Sequence, residues 1–305
     1  MAAGAQARRL SVAVVGLGGV GGGAAGSLAA AGRHDITACT RQSIARFTLE
    51  RAEGTVEAPL RLLAEPAQAK PVDWVLVCTK THQTAAAGPW LARLCTPATR
   101  VAVLQNGIDH TARVTPLAGG ATIVPVLVYF NGERLASDRV RIRHAGSFDA
   151  VVADDDPGRA FVDLFEGTPL RIIRSGDFAT LAWRKLLINA VANPITALTL
   201  QRQAVLRRSD VRDLCRGILD EAVAAARAEG VKLAEDETAR TIATLENFSG
   251  ELGTSMYFDR LAGRRVEVEA LTGAIVAAGD RHGMVMPFNR ALLTLLRAIN
   301  DAISA

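Results

Sequence analysis

The sequence predicts an α/β fold: an N-terminal, doubly wound, mainly parallel sheet followed by a C-terminal all-helical domain. Three observations predict it. A strand-like run, Ser11–Val15, opens directly into a glycine series, Gly16-Leu-Gly-Gly-Val-Gly21. Short apolar runs then alternate with helix-like stretches through the first half, the pattern of parallel strands whose crossover helices cover both sheet faces. From Phe178 onward the alternation of strands stops and helical periodicity takes over.

Taken in order, strands are expected at Ser11–Val15, Ile36–Cys39, Val72–Cys78, Arg100–Leu104 and Thr122–Phe130. A helix is expected at Val20–Ala31, and Val140–Ala153 reads as a hairpin or edge pair. In the second half, Ser209 is placed to cap a helix running to Glu229, with stops at Gly230 and Gly283. The expected domains are residues 1–175 and 176–305. A chain of 305 residues, 49% of them hydrophobic, can bury two such cores. A ligand site is expected in the cleft between them.

Composition excludes several function classes. The net charge is +4, and the pairs Arg207-Arg208 and Arg264-Arg265 stand alone, so no nucleic-acid face is expected. Cys39, Cys78, Cys95 and Cys215 show no metal or disulfide spacing, which fits free buried thiols in a reducing cytoplasm. The uncharged stretch Ser11–Gly32 is long enough to cross a bilayer. Seven of the eleven residues from Gly16 to Gly26 are glycine, however, and the stretch divides into strand and helix patterns, so no membrane span is expected.

The glycine series has the spacing G-x-G-x-x-G between a strand and a helix. That is the fingerprint of a Rossmann-type dinucleotide loop. Gly16 makes the turn, Gly18 lets the backbone approach a pyrophosphate, and Gly21 lets the helix pack on the strand. With Leu17, Gly19 and Val20 they form the expected cofactor loop, and the helix N-terminus offers N–H groups to phosphate. The second strand runs into Cys39-Thr-Arg41-Gln-Ser, with no acid to hold a ribose hydroxyl. Arg41 is placed to meet a 2′-phosphate, which points to NADPH; an ordinary surface arginine is the alternative. Two further strand ends carry polar residues, Thr79-Lys80 and Gln105-Asn106-Gly107. Strand carboxyl ends border the ligand crevice in such sheets, so Lys80 and Asn106 are candidate contacts. Asn-Gly also reads as a plain turn.

In the second half, Trp183-Arg-Lys-Leu-Leu-Ile-Asn-Ala-Val-Ala-Asn-Pro194 places Lys185, Asn189 and Asn193 four residues apart. Each step of four turns only about 40° around a helix, so the three share one face. Polar groups on a largely apolar helix are costly unless they meet something polar. Pro194 is expected to kink or end the helix. Glu267, read alone, is an acid near a helix start.

Together these residues resemble the ketopantoate reductase (2-dehydropantoate 2-reductase) family over nearly the whole chain. The resemblance rests on the glycine loop, Lys80, Asn106-Gly107, the Trp183–Pro194 run, Ser255-Met-x-x-Asp259, Glu267, Gly273 and Met284-x-Met-Pro-x-Asn289. It implies hydride transfer from NADPH to C2 of a 2-keto acid, without a metal. Lys185 is then the general acid. Asn106, Asn189, Asn193 and Ser255 hold substrate oxygens, and Glu267 contacts the lysine, the cofactor or a substrate hydroxyl. Two stretches depart from the family pattern. Tyr129-Phe130 is bulky where small residues are usual and is expected to narrow or reshape the pocket, and His144–Asp149 has fewer glycines. Both leave open which keto acid is reduced; a non-catalytic NADPH sensor is the rival from another class. A cytoplasmic monomer or homodimer is expected.

Overall fold

A computed structural model describes residues 8–40, 44 and 46–304. It contains two compact units. The first holds the described residues through Gln105 and again His110–Phe178; the second holds Asn106–Asp109 and the described residues from Ala179 on.

The first unit is built on six parallel strands: β1 (Ser11–Val15), β2 (Asp35–Cys39), β5 (Arg61–Leu63), β6 (Trp74–Val77), β7 (Arg100–Val103) and β8 (Thr122–Pro125). Their spatial order is β5-β2-β1-β6-β7-β8. This is the doubly wound arrangement expected from the sequence, with its switch point between β1 and β6, where open sheets of this kind bind ligands. Alternate side chains of the central strands enter two separate cores. Val12, Val14, Trp74 and Leu76 face one, while Ala13, Val15, Val75 and Val77 face the other with α2 (Thr84–Leu94); the unit also holds α3 (His110–Val114) and α4 (Asp156–Leu164). Burial on both faces explains why these strands read as continuous apolar runs.

Helix α1 (Gly19–Ala31) touches this sheet and also a second, four-stranded one. The second sheet joins the hairpin β3 (Phe47–Arg51) and β4 (Gly54–Ala58) to the hairpin β10 (Asn131–Ala136) and β11 (Arg139–Arg143). A Cβ on Gly22 would meet Val140 and Phe47, one on Gly23 Ile142 and Phe130, and one on Gly26 Leu49. The helix is glycine-rich because it is packed from two sides. The approach is closest where α1 begins: a Cβ on Gly132 would lie 2.2 Å from the carbonyl oxygen of Gly19. Gly132→Ala is therefore expected to destabilise the protein by about 1–3 kcal/mol, read as a lower midpoint in urea. An unchanged midpoint would contradict this packing.

Several local expectations need correction. Thr122–Phe130 is not one strand. It leaves the parallel sheet after Pro125 and continues as β9 (Leu127–Val128) in a three-stranded sheet with β12 (Ala150–Ala153) and β13 (Ile172–Ser175). Val140–Ala153 is not a hairpin, because β11 and β12 belong to different sheets. The hairpin β3–β4 was not expected at all. Cys39 and Cys215 are buried free thiols, but Cys78 and Cys95 are only half-buried.

The second unit is helical, apart from the loop 106–109. Its helices are α5 (Phe178–Thr199), α6 (Ser209–Ala228), α7 (Glu237–Glu246), α8 (Ser255–Leu261), α9 (Ala274–Arg281) and α10 (Pro287–Ser304), with a π-turn at Glu269–Gly273. One core runs through Leu186, Leu187, Val191, Ile218, Leu219, Ile275 and Leu296. Helix α5 does not end at Pro194. Residues 190–197 are all buried, and that packing offsets the roughly 3 kcal/mol cost of an interior proline. Ser209 is the first residue of α6 and not its cap; the Asp210 carboxylate accepts the Val211 N–H instead. Gly230 and Gly283 do follow helix ends in the left-handed region, at φ +82° and +63°. No helix of the described residues is long and apolar enough to cross a membrane, and Ser11–Gly32 is divided between β1 and α1.

Candidate functional site

In the first unit the glycine loop leaves β1 at the switch point. Gly16 has φ +101°, and a Cβ there would lie 2.8 Å from the backbone nitrogen of Thr79, at the end of β6. A Cβ on Gly21 would lie 1.8 Å from the Gly16 carbonyl oxygen. The turn and the helix are thus in backbone contact, and a side chain at either position would force them apart. Gly18, by contrast, faces open space: a Cβ there meets nothing within 4 Å. Among the described residues no side chain caps the N-terminus of α1, and no acid stands in its first turn. The loop therefore presents its backbone and the start of a helix to an open face, which fits a pyrophosphate. The Leu17 side chain is buried in the core, leaving its backbone at the loop. Gly19 packs on Gly132, and Val20 is half-buried. Arg41 lies outside the described residues; Thr40 just before it is tied to β5 through the Leu63 carbonyl.

Lys80 follows β6 and is half-buried. Beside it is a network that sequence reasoning missed. Buried Gln105, at the end of β7, donates through Nε2 to the Thr79 carbonyl (3.0 Å) and to Thr84 Oγ1 (2.8 Å). Arg113 donates to Gln105 Oε1 at 3.1 Å. These bonds tie the carboxyl ends of β6 and β7 together, and so fix the backbone from which Lys80 projects. Phe130 is buried against Gly23. Tyr129 stays half-buried, its ring edge-on to Phe148.

In the second unit the Trp183-Arg-Lys run divides its work. Trp183 enters the core. Arg184 makes two bonds, of 2.8 and 3.1 Å, to the buried carboxylate of Glu237 on α7, which fixes the rotation of α5. Lys185, next in line, begins the polar stripe. Lys185 and Asn189 are half-buried, and Asn193 is buried. Eleven residues bring a helix back to within about 20°, so Thr196 extends the stripe. Its hydroxyl lies 2.7 Å from that of Thr254, the residue that caps α8 by accepting the Tyr257 N–H. This contact brings exposed Ser255, the first residue of α8, beside the far end of the stripe. Neither threonine was a candidate from sequence.

Asn106 and Glu267, 161 residues apart, meet directly: Asn106 Nδ2 donates to Glu267 Oε2 at 3.1 Å. Glu267 is buried and acts on Lys185 electrostatically. Two opposed influences set the lysine. Burial disfavours its charge and is the larger; the Glu267 carboxylate favours it. The result is an ammonium brought down from 10.5 to about 8. The stripe thus holds a cation able to give up a proton near neutral pH and amides able to donate and accept, and Glu267 supplies the negative charge that favours the cation. Such a group suits general acid chemistry on a small polar substrate.

Two family models match the chain. Ketopantoate reductase PanE/ApbA matches residues 12–156, and ketopantoate reductase PanE/ApbA C terminal matches residues 177–300. The chain belongs to the ketopantoate reductase family. It is an enzyme of the oxidoreductase class. Curated ketopantoate reductases similar to it include the 2-dehydropantoate 2-reductase of Caulobacter vibrioides, 37% identical over 94% of this chain and 98% of that protein. The enzyme of the same name from Mycobacterium tuberculosis is 35% identical over 95% and 98%. Among solved structures, a PanE/ApbA family ketopantoate reductase from Ralstonia eutropha has a TM-score of 0.87 at 28% identity, covering 97% of this chain and all (100%) of that one. A dimeric ketopantoate reductase from Staphylococcus aureus has a TM-score of 0.84 at 26% identity, covering 96% and 100%.

Proposed function

We propose that this enzyme reduces 2-dehydropantoate to pantoate with NADPH, a step toward pantothenate and coenzyme A. The observation that carries the reading is the bond of Asn106 to Glu267 and the pull of Glu267 on Lys185, which shares a helix face with Asn189 and Asn193, in a chain similar throughout to 2-dehydropantoate 2-reductases. In this reading residues 1–175 hold the dinucleotide and residues 176–305, with Asn106, hold the substrate.

The loop Gly16–Gly21 binds the pyrophosphate with its backbone, Lys80 adds positive charge, and Arg41 takes the 2′-phosphate. When bound, the nicotinamide supplies the hydride to C2. Asn189, Asn193 and Ser255 hydrogen-bond the carboxylate and hydroxyl oxygens of the substrate, which orients its carbonyl. The Lys185 ammonium donates to the carbonyl oxygen, stabilises the negative charge that develops there and passes it a proton. Glu267 keeps Lys185 protonated until that moment and holds Asn106 in place.

A panel of 2-keto acids tests the substrate. 2-Dehydropantoate is expected to show a kcat/KM at least about tenfold above that of other branched keto acids, a difference of about 1.4 kcal/mol in the transition state. A clear preference for another keto acid would move the assignment to it. Tight NADPH binding without turnover of any keto acid would favour a sensor.

A further inference from the structure

Glu267 ends a segment without regular structure, Arg264–Glu267, that connects α8 to the π-turn. Buried backbone in such a segment must find partners outside helices and sheets. At Val266, 1% exposed, one side chain supplies both. Asn300 Oδ1 accepts the Val266 N–H at 2.8 Å, and Asn300 Nδ2 donates to the Val266 carbonyl at 3.1 Å. Asn300 is on α10 and is itself buried. One turn earlier on α10, Arg297 makes two bonds of 2.8 Å to Glu269. At the other end of the segment, Asp259 accepts from Arg264 Nε at 3.1 Å. The chain is therefore pinned at 264, 266 and 269, on both sides of Glu267.

We propose that Asn300 is a positioning residue for Glu267: by clamping both peptide groups of Val266, it directs the next carboxylate at Asn106 and Lys185. The proposal rests on the roles given above to Lys185 and Glu267. A primary amide suits the task because it offers a donor and an acceptor in one plane. Alanine there leaves two buried backbone groups without partners and lets the segment shift. The charged residues on the elements that meet here include Lys185 on α5, Asp259 and Arg260 on α8, Arg264, Arg265 and Glu267 in the segment, Glu269 in the π-turn, and Arg297 and Asp301 on α10. Of these, Glu267 is the one whose charge holds the Lys185 ammonium up. If Glu267 swings away, Lys185 loses its proton at lower pH.

The test is the pH profile of kcat/KM for keto-acid reduction in Asn300→Ala, Glu267→Gln and Asn289→Ala. Asn289 is also a buried asparagine of α10, but it bonds Ile218 and Glu221. The basic limb is expected to move down by about half a pH unit or more in Asn300→Ala and Glu267→Gln, because both weaken one attractive charge. In Asn289→Ala it stays at the wild-type position, whatever that variant loses in melting temperature. A limb that moves in Glu267→Gln but not in Asn300→Ala overturns the positioning role. A limb that does not move in Glu267→Gln overturns the roles of Lys185 and Glu267, and the proposal with them. Should Asn300→Ala not fold, Asn300→Ser, which keeps a hydroxyl for the Val266 N–H, is read by the same criterion.

Discussion

Lys185→Met is expected to lose keto-acid reduction by about two to four orders of magnitude, the range seen when a general acid is removed. NADPH affinity should stay within about threefold, because the glycine loop is untouched. Methionine keeps the length and apolar stem of lysine, so the polar stripe loses its charge and its proton but little packing. The wild-type pH profile gives a second reading of the same group. Lys185 acts as an acid, so its protonated form is the active one, and burial has brought its ammonium down to about 8. Reduction should therefore be flat below that pH and fall tenfold per unit above it. Oxidation of the hydroxy acid needs the neutral amine, so it should rise through the same value. A profile for reduction that rises with pH would assign the proton to another group.

Gly21→Ala is expected to weaken NADPH binding by at least about 100-fold, roughly 2.7 kcal/mol, and to lower stability as well. The new Cβ falls 1.8 Å from the Gly16 carbonyl oxygen and 2.8 Å from Cys78 Cβ, so the turn must leave the helix. Gly18→Ala separates the two effects. Its Cβ meets no protein atom within 4 Å, so the melting temperature should hold while NADPH binding falls. Titration of each variant with NADPH, beside its thermal midpoint, checks both. A Gly18→Ala protein that binds NADPH normally would remove that open face from the cofactor site.

These two sites differ in how they could be read. The glycine loop is local: six consecutive residues carry the turn, the open face and the close contact. The stripe on α5 was legible for the same reason, since four-residue spacing places Lys185, Asn189 and Asn193 on one face. Its completion was not, because Asn106 reaches Glu267, and Thr196 reaches Thr254, across long stretches of chain. No periodicity encodes such a meeting. Helix α1 shows the same limit. Its glycines signalled a cofactor loop, but Gly22, Gly23 and Gly26 serve a different need, the second sheet packed against them. That sheet was missed because the stretch 46–57 carries Arg46, Glu50, Arg51, Glu53 and Glu57, which hide the inward pair Phe47 and Leu49. At Pro194, of the two outcomes the sequence offered, the helix does not end, because the residues around the proline are buried.

In the proposed reaction a hydride passes directly from the nicotinamide to C2 of 2-dehydropantoate. Its path is followed with NADPH labelled with deuterium at the transferable C4 position, purified protein and 2-dehydropantoate, with the product analysed by mass spectrometry and NMR. Pantoate carrying one deuterium at C2, formed in step with NADPH consumed, is the predicted result. Absence of pantoate, or pantoate without the label, would contradict it.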